Sequence, residues 1–545
     1  MSIDDCEVLI VGAGPVGFLL GLMLQAKGIN VKLVERQKAL YPLPRAVALD
    51  HESRRLIGTL GLSKELEPFL QNICFEGGEN GTNYLWRDAD LKMVVDLFFE
   101  EATRSGFASQ VAFCQPELEA VFNKAAIDRK LPVLRGYTVS ALHERGDKVE
   151  VSLDAVIMKQ GMTTIEDRDF TQQLDTTANG ASHIQISASY VIGCDGANST
   201  VRRLMGFPTT DLNFENDWLV VDLMLRDGYV PPRVAKIGCC QVCDPKRPTT
   251  IVNGGHGRKR FEYMRLENET KEELLQDDKI WPLLAPWGFN KDNCDLERKV
   301  IYTFRARWAN EANMGRVLLA GDALHLMPPF MGQGLNSGLR DAGALAWRLP
   351  LMLSGVAKPE ALLNSYGKER LEHVQWLTIH SVKLGEVVCE TDPIKSKEMH
   401  AALRKNPPPQ LYNPPLGKPG ILTDQKEAGE LSLQRPLKVL LGVEDQPLFD
   451  AVHGYGWVLL NLGDSSVDSK LSRESRQFFT DVLGGKCISI SSSQDYHGEY
   501  HAWFGNRMGL DHVVLIRPDF YVFGHVTTDK VDELVQELRT KMGAQ

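Results

Sequence analysis

Apolar runs and helical patterns alternate along the first part of this 545-residue chain, which is typical of parallel strands joined by helices. Residues 7–11 (EVLIV) suit a strand that is buried on both faces of a sheet. The glycine-rich residues 12–17 follow, and apolar residues at helical spacing then predict a helix that ends near Gly28. A second strand at residues 31–35 completes a strand–helix–strand opening.

Two segments far downstream have the pattern of strands and are interpreted as parts of the same domain. Residues 188–196 end in the dipeptide DG, and residues 316–322 end in the dipeptide GD. Between them, residues 218–225 and 260–265 have the alternating pattern of an antiparallel sheet. The chain is therefore predicted to hold a nucleotide-binding domain made of separated stretches and interrupted by a substrate-binding sheet.

Two further breaks divide the chain. Residues 155–182 are polar and rich in Thr, Asp and Gln, which predicts a long surface loop. Residues 406–420 contain six prolines, which predicts a linker. The pattern after the linker predicts a compact α/β domain with strands at 457–461, 486–490, 513–516 and 521–523 and a helix at 529–542.

Composition and charge exclude several classes of protein and leave the predicted domain organisation unchanged. Hydrophobic residues make up 43% and charged residues 24%, as in ordinary globular proteins. The formal net charge of −10 disfavours nucleic acid as a partner, because phosphate contacts need a basic surface. No apolar run reaches the roughly 20 residues of a membrane span, and the acidic N-terminus does not resemble a secretory signal. We therefore expect a cytoplasmic protein.

The ten cysteines are scattered and do not form the spacing of a disulfide framework. Cys240 and Cys243 have the spacing of a redox or metal half-site, but no second pair completes it. Two small residues within a strand are the favoured interpretation, and no metal site is predicted.

Gly12, Gly14 and Gly17 form a Gly-x-Gly-x-x-Gly pattern, which is weak alone but here stands between a strand and a helix. Glycines permit a tight turn and a close backbone approach, so that a pyrophosphate can lie at the helix N-terminus. Glu35, at the end of the next strand, is placed to accept hydrogen bonds from ribose hydroxyls. The pattern predicts a dinucleotide site, without separating NAD from FAD; a glycine-rich turn with no ligand is the weaker alternative.

The segment that begins at Asp322 favours a flavin. A carboxylate at a strand end can hold a polyol chain by hydrogen bonds, and residues 325–341 (HLMPPFMGQGLNSGLRD) then place small residues before a helix. Backbone N–H groups at that helix N-terminus could stabilise negative charge on a reduced flavin ring. A plain NAD-dependent dehydrogenase is disfavoured, because the DG and GD segments would then have no role.

Three motifs together, GAGPVG, CDGANSTVRR and LLAGDALHLMPPFMGQGLNSGLRDA, resemble the p-hydroxybenzoate-hydroxylase family of FAD-dependent aromatic monooxygenases. The resemblance covers about residues 5–390, and residues 44–50 and 328–334 are most similar to 3-(3-hydroxyphenyl)propionate hydroxylases and related phenol hydroxylases. It implies an α/β fold with a Rossmann-like FAD-binding domain, an inserted antiparallel-sheet substrate domain and a C-terminal thioredoxin-like domain. The implied bounds are 1–78, 108–205 and 301–400 for the FAD domain, 79–107 and 206–300 for the substrate domain, 401–420 for the linker, and 421–545 for the thioredoxin-like domain.

The resemblance also implies individual contacts with FAD. Gly12, Gly14 and Gly17 would cradle the pyrophosphate, with Glu35 on the ribose. The other implied contacts are Arg45 on the cofactor, Gln115 near the ribityl or pyrophosphate region, Asp195, Gly196 and Arg202 as the DG motif associated with FAD and the nicotinamide donor, Asp322 on the ribityl chain, Pro328 and Pro329 on the oxygen-reactive face of the ring, and Gly332, Gly334, Leu335 and Asn336 at its pyrimidine edge.

The implied reaction uses NADPH or NADH as a transient electron donor and dioxygen as a co-substrate. The reduced flavin forms a C4a-hydroperoxide, whose outer oxygen is attacked by a small phenolic or similarly activated aromatic substrate. An alternative keeps the flavin chemistry but ends in Baeyer–Villiger insertion, epoxidation or oxidative dearomatisation. A non-catalytic nucleotide-fold binding protein is a minor alternative, because residues 328–336 retain the pattern expected for flavin contacts.

The group that would deprotonate a phenol is left open by the sequence. Some phenol hydroxylases carry a histidine just after the motif arginine, whereas Val47 stands in that place here. His51 and Tyr263 are weak candidates, and each is better explained as a surface or core residue. Four aromatic residues could line the substrate site, although core packing is the stronger interpretation: Trp86, Trp218, Phe261 and Tyr263.

The C-terminal domain has Leu-Gly-Asp-Ser-Ser where a redox-active thioredoxin would have Cys-x-x-Cys, and Cys487 is its only cysteine. Disulfide exchange is therefore not expected. We expect this domain to serve in packing or in forming a homodimer.

Overall fold

The structure is a computed structural model that describes residues 5–73, 82–99, 103–156, 183–408, 413–439, 446–463 and 466–544. The polar segment predicted as a surface loop lies outside these ranges from residue 157 onward. The strands are β1 (Cys6–Val11), β2 (Val31–Glu35), β3 (Ala48–Asp50), β4 (Gln71–Asn72), β5 (Thr82–Arg87), β6 (Met93–Phe99), β7 (Gln110–Ala112), β8 (Val133–Arg135), β9 (Tyr137–Arg145), β10 (Lys148–Ala155), β11 (His183–Gly193), β12 (Thr209–Leu225), β13 (Cys239–Val242), β14 (Thr249–Asn253), β15 (Arg258–Met264), β16 (Cys294–Ala309), β17 (Asn313–Met314), β18 (Val317–Leu319), β19 (His325–Leu326), β20 (Val458–Leu462), β21 (Lys486–Ile490), β22 (His512–Ile516) and β23 (Val522–Thr527).

The helices occur between strands along the chain and after the last strand, β23. The helices are α1 (Pro15–Ala26), α2 (His51–Gly58), α3 (Ser63–Leu66), α4 (Gln115–Asp128), α5 (Thr200–Met205), α6 (Lys271–Leu274), α7 (Asp277–Leu284), α8 (Gly334–Leu353), α9 (Pro359–Val388), α10 (Pro393–Lys405), α11 (Phe449–His453), α12 (Arg473–Arg476), α13 (Glu499–Arg507) and α14 (Val531–Met542).

The first sheet brings together segments that are far apart in the chain. Its parallel core has the order β18-β11-β1-β2-β8, and β9 and β10 extend it from β11. The apolar residues of β1 are buried between helices, which explains why this strand has no polar alternation. The strand before the DG segment, β11, pairs with β1, and the strand before the GD segment, β18, pairs with β11. Both segments thus belong to this sheet, and the Rossmann-like α/β class is confirmed.

The second sheet has the order β19-β16-β12-β15-β14-β13-β5-β6 and is mostly antiparallel. Because side chains alternate along a strand, its two faces differ. One face packs on Ile280, Leu284 and Trp287 in and after α7. The other face packs on Phe330 and on Val388 of α9, and so is turned toward the first domain.

The C-terminal sheet has the order β21-β20-β22-β23, with β20 and β21 parallel and the other pairs antiparallel. Helices precede and follow these strands, as expected of a thioredoxin-like domain. Trp457, just before β20, packs edge to face on Trp347 of α8 with ring centroids 5.3 Å apart. Residues of this domain therefore share one apolar core with the first domain. The exact domain bounds stay a prediction.

Candidate active site

The turn between β1 and α1 leaves room for a ligand at one of its three glycines. Gly12 has a φ of +106°, and a Cβ there would lie 2.3 Å from the carbonyl oxygen of Cys194. A Cβ on Gly17 would lie 1.9 Å from the carbonyl oxygen of Gly12. Gly14 has an ordinary φ of −81°, and nothing lies within 4 Å of the position of its absent Cβ. Packing explains Gly12 and Gly17, whereas the open space at Gly14, at the N-terminus of α1, suits a pyrophosphate.

Glu35 lies beside this turn, at the end of β2. Its Oε2 accepts a 2.8 Å hydrogen bond from the Ala13 N–H, and its Oε1 accepts a 2.8 Å bond from the Gln37 N–H. Each carboxylate oxygen has further lone pairs, so ribose hydroxyls could still donate to it. The position of Glu35 suits the contact that the sequence predicts.

The DG segment is joined to the GD segment by an arginine. Asp195 accepts hydrogen bonds from the N–H groups of Thr200 and Val201 at 2.7 and 3.1 Å, and so fixes the start of α5. Arg202, in that helix, donates to the carbonyl oxygens of Ala197 and Ala323, each at 2.7 Å. Asp195 and Arg202 therefore organise the loops at the edge of the first sheet, next to Gly196.

Asp322 follows β18 and the left-handed Gly321, whose φ is +62°. Burial raises the pKa of the Asp322 carboxyl, although the positive charges of Arg45 and Arg202 act in the opposite direction. Asp322 is half-buried, and the hydroxyl groups of a ribityl chain would supply hydrogen-bond partners for its carboxyl. Asp322 thus suits the predicted contact with the polyol.

The turn before α8 is held by an asparagine side chain. Pro329–Met331 form a short 3-10 turn, and Gly332 follows with a φ of +63°. Asn336 donates from Nδ2 to the carbonyl oxygen of Gly332 at 2.8 Å, while its Oδ1 accepts from the Asp50 N–H at 3.0 Å. The Asn336 side chain thus forms its hydrogen bonds within the protein. A ligand at the start of α8 would therefore meet the backbone of Gly334, Leu335 and Asn336.

Pro328 and Pro329 begin this turn. Pro329 is exposed, and the carbonyl oxygen of Pro328 accepts a 2.6 Å hydrogen bond from the Ser381 hydroxyl of α9. Phe330 points instead into the aromatic cluster under the second sheet. The turn therefore connects the α8 N-terminus with the second sheet.

Gln115 fixes the segment that carries Arg45. Its Oε1 accepts from the Ala46 N–H at 2.9 Å, and its Nε2 donates to Glu119 at 2.7 Å. The Arg45 guanidinium lies over the ring of Tyr41, 4.1 Å from its centroid. Gln115 acts here as a positioning residue for the backbone next to Arg45.

A buried polar cluster behind the GD segment was not anticipated. Asp341 of α8 accepts from His325 Nε2 at 2.8 Å, from Arg370 Nε at 2.7 Å and from the Gly321 N–H at 2.9 Å. Arg370 and Asp341 are fully buried, and this cluster fixes the backbone that carries Asp322. The sequence offers no local signal for it, because Asp341 and Arg370 lie on different helices.

His51 and Tyr263, the two weak candidates for the base, both have partners within the protein. His51 Nδ1 lies 2.9 Å from the Ser105 hydroxyl, and burial lowers the pKa of this imidazole. The Tyr263 hydroxyl donates to the Leu283 carbonyl oxygen at 2.9 Å, on the sheet face turned away from the first domain. Burial also raises the pKa of Tyr263 well above its ordinary value. These contacts favour the structural interpretation of both residues.

The face of the second sheet that is turned toward the first domain carries polar side chains that the sequence analysis missed. Glu262, Thr250 and Gln241 are cross-strand neighbours on β15, β14 and β13. Burial raises the pKa of Glu262 to about 7. Two-residue alternation along β15 was the available signal, since it separates Glu262 from its neighbour Tyr263.

Aromatic side chains lie beside these polar groups. Phe330 is in edge-to-face contact with Trp218 and Phe304, at centroid distances of 6.0 and 5.9 Å. Trp86 belongs to the same cluster. Of the four aromatic residues proposed from the sequence, Trp86 and Trp218 lie on the face toward the first domain, whereas Phe261 and Tyr263 lie on the other face.

The Cys240 and Cys243 side chains belong to different clusters, on opposite faces of the sheet, and burial raises the pKa of both thiols. Across the described ranges, no group of three or more His, Cys, Asp or Glu side chains is placed to hold a metal ion. In the same part of the chain, no helix is both long and apolar enough to cross a membrane.

Comparisons with known proteins identify the family of this chain. The model of the family "FAD binding domain" matches residues 5–381, and that of "HcaD C-terminal domain" matches residues 429–541. A probable NADH-specific resorcinol 4-hydroxylase of Rhodococcus jostii (strain RHA1) is 32% identical over 95% of this chain and 91% of its own length. A 3-(3-hydroxy-phenyl)propionate/3-hydroxycinnamic acid hydroxylase of Escherichia coli (strain K12) is 29% identical over 98% of this chain and 94% of its own length.

Among solved structures, aklavinone-11 hydroxylase in complex with FAD and aklavinone has a TM-score of 0.74 at 18% identity, with full coverage of both chains. At that identity the likeness speaks for the fold alone. The family match covers more than half of the chain and includes each of the three motifs. The chain therefore belongs to the FAD-binding-domain family of flavin-dependent aromatic hydroxylases.

Proposed function

We propose that this chain hydroxylates a small phenol, with NADH or NADPH as the electron donor and dioxygen as the co-substrate. The contact between the turn before α8 and the substrate sheet carries this proposal. Phe330 of that turn packs on Trp218 of β12, so the predicted flavin edge lies next to the face of the second sheet that carries the polar side chains. Resorcinol and 3-(3-hydroxyphenyl)propionate, which two relatives are named for, are the first substrates to test.

The FAD-binding residues stay a proposal, and each has a role that its position suits. Gly14 and the α1 N-terminus would receive the pyrophosphate, Glu35 the ribose, and Asp322 the ribityl hydroxyls. The backbone N–H groups at the start of α8 would face the pyrimidine edge, where a helix N-terminus favours negative charge. Bound FAD accepts hydride from the nicotinamide and activates dioxygen.

The chain's own residues would position the substrate ring and exclude water from it. Trp86, Trp218 and Phe304 are buried in the aromatic cluster, and such a wall excludes water from the substrate. Asn336 and Gln115 hold the backbone on either side of the site. NADH is the first donor to test, because the resorcinol hydroxylase relative is named as NADH-specific.

The test uses the purified holoprotein. We expect a yellow protein whose NADH oxidation is accelerated by resorcinol or another phenol, with a product that carries one additional oxygen on the ring. A colourless protein that cannot be reconstituted with FAD, or NADH oxidation indifferent to every phenol, would contradict the proposal. Ring expansion, epoxidation or loss of aromaticity in the product would favour the alternative outcomes of the same flavin chemistry.

Cytoplasmic location, the absence of a nucleic-acid partner and a homodimer are further proposals. The acidic net charge of −10 supports the second. Sedimentation of the holoprotein over a range of concentrations tests the third. A monomer at every concentration would contradict the homodimer.

A further inference from the structure

Glu262 stands in the middle of the sheet face that borders the proposed substrate space. It is paired across the sheet with Val220 on β12 and with Thr250 on β14. Glu262 is 7% exposed, so its carboxylate has little contact with solvent. A charged group in such a place needs a partner, because an unpaired buried charge is costly.

The charged side chains described around Glu262 do not donate a hydrogen bond to it. On its own strand, the Arg260 guanidinium lies 3.8 Å from Glu262 Oε1, beyond hydrogen-bond distance. Arg260 instead donates to both oxygens of Asp222, at 2.6 and 3.1 Å, and to the Arg45 carbonyl oxygen. Arg298 of β16 donates to the Pro44 carbonyl oxygen of the first domain. Among the described residues, Glu262 is thus left without a hydrogen-bond donor.

The purely structural interpretation is an ion pair between Glu262 and Arg260. Asp222 already neutralises Arg260 by a two-bond contact, and the additional carboxylate raises the local negative charge. A buried carboxylate in this position costs stability, whereas an apolar side chain of similar size would not. An unsatisfied acceptor that faces a substrate space is better explained by a donor on the substrate.

We propose that Glu262 accepts the hydroxyl proton of a neutral phenol bound against this sheet face. The inference rests on the proposed function, whose site it deepens. The phenol O–H bond breaks as an O–H bond forms on Glu262, and the negative charge passes from the carboxylate to the phenol oxygen. The ring becomes richer in electrons, which favours its attack on the oxygen that bound FAD activates.

The neighbouring side chains suit a neutral substrate with a second polar group. Gln241 donates to the Tyr84 hydroxyl at 2.6 Å and accepts from the Thr250 hydroxyl at 2.7 Å, so this row offers uncharged donors and acceptors. Asp222 is already paired with Arg260, so the additional negative charge on this row is that of Glu262, which would repel a carboxylate held close to it. The substrate class is therefore a neutral dihydric phenol, such as resorcinol, in preference to a phenol that carries a carboxylate.

The pKa of Glu262 lies in the range that suits a general base at neutral pH. The pKa of Glu262 is raised to about 7, because burial and the charge of Asp222 raise it by more than Arg260 and Arg298 lower it. A base whose pKa lies near the working pH combines a deprotonated fraction with proton affinity. Activity that depends on the carboxylate form should rise with pH through about 7.

The experiment compares the wild-type holoenzyme with Glu262→Gln and with Glu215→Gln. The control residue Glu215 lies on the exposed end of β12, where it makes a 3.4 Å ion pair with Arg305. Resorcinol, phenol and 3-(3-hydroxyphenyl)propionate are the probes, and the readouts are kcat/KM for phenol-stimulated NADH oxidation, its pH profile and the phenol dissociation constant from flavin absorbance. Loss of a general base predicts a drop in kcat/KM of roughly 100-fold or more and loss of the rise near neutral pH, with Glu215→Gln unchanged.

Different results separate the inference from the proposed function. If no phenol stimulates wild-type NADH oxidation, the proposed function fails, and the inference falls with it. If the wild type responds but Glu262→Gln keeps its rate and pH profile, or if the carboxylate-bearing phenol is preferred over resorcinol, the inference alone is overturned. Should Glu262→Gln not retain FAD, the wild-type profile decides: a resorcinol rate that does not rise through about pH 7 contradicts the inference.

Discussion

The Tyr521 hydroxyl, just before β23, donates a 2.7 Å hydrogen bond to the Glu52 carboxylate of α2. Glu52 also accepts from Arg340 of α8 at 2.9 Å, and Arg340 binds Asp50. The Asp50 N–H donates to Asn336 beside the turn that carries the proposed flavin contacts. The C-terminal domain is thus connected, through buried polar contacts, to the flavin site of the first domain.

Tyr521→Phe removes the bond to Glu52 and leaves the ring in place. We expect a loss of about 1.5–3 kcal/mol in the free energy of unfolding, because one hydrogen bond to a buried charged group is lost. FAD should also be retained less well, since Arg340 and Asp50 are then less firmly held. Urea unfolding and FAD release during gel filtration measure the two effects. Tyr229→Phe, at an exposed tyrosine, is the control, and equal behaviour of the two variants would contradict the connection.

Glu369 of α9 is the centre of the second connection between the domains. It accepts from Arg517 of the C-terminal domain at 2.8 Å and from Arg348 of α8 at 2.6 Å. Burial alone would raise the pKa of Glu369, but Arg348 and Arg517 lower it to about 2. Glu369→Gln leaves two buried arginines without this charge and should destabilise the protein by about 3–5 kcal/mol.

The pH dependence of that loss has a definite sign. A carboxyl with a depressed pKa in the folded state stabilises the fold above its ordinary value near 4.5, and this contribution disappears as the pH falls toward about 2. The stability difference between the wild type and Glu369→Gln should therefore be constant above about pH 5 and shrink below it. Chemical unfolding at a series of pH values measures it. A difference that does not change between pH 6 and about pH 3 would contradict the ion-pair explanation.

These connections mark the limit of what the sequence predicts. Glu369 and Arg517 are 148 residues apart, and no local pattern relates them. In contrast, the segments at 7–11, 188–196 and 316–322 form neighbouring parallel strands of one sheet. Their C-terminal ends therefore lie at the same edge, as the glycine that follows each strand predicts. The same holds for neighbours on one strand. Alternation predicts that Glu262 and Tyr263 lie on opposite faces of the sheet, but only tertiary packing decides which face is turned toward the first domain.

Asn336 tests whether the turn before α8 needs its side-chain support. Asn336→Ala removes its hydrogen bonds to the Gly332 carbonyl oxygen and from the Asp50 N–H and the Ser53 hydroxyl. Because the Asp50 N–H is left unsatisfied in the interior, we expect a loss of about 2–3 kcal/mol in stability. Flavin fluorescence should rise as the ring becomes more mobile, and phenol-stimulated NADH oxidation should fall. Unchanged fluorescence and rate would show that the turn is held by its backbone alone.

Gly14 and Gly17 form a matched pair that separates ligand binding from packing. Gly14→Ala should fold normally as the apoprotein, because its φ is −81° and nothing lies within 4 Å of the new Cβ. It should bind FAD at least tenfold more weakly, a cost of about 1.4 kcal/mol, because the methyl group enters the space proposed for the pyrophosphate.

Gly17→Ala should behave in the opposite way. Its Cβ would lie 1.9 Å from the Gly12 carbonyl oxygen, so the backbone must shift and the apoprotein should lose about 1–3 kcal/mol or more. Urea unfolding of the two apoproteins and titration with FAD measure both quantities. If Gly14→Ala binds FAD as tightly as the wild type, the pyrophosphate does not lie at the N-terminus of α1, and the proposed FAD contact at Gly14 is wrong.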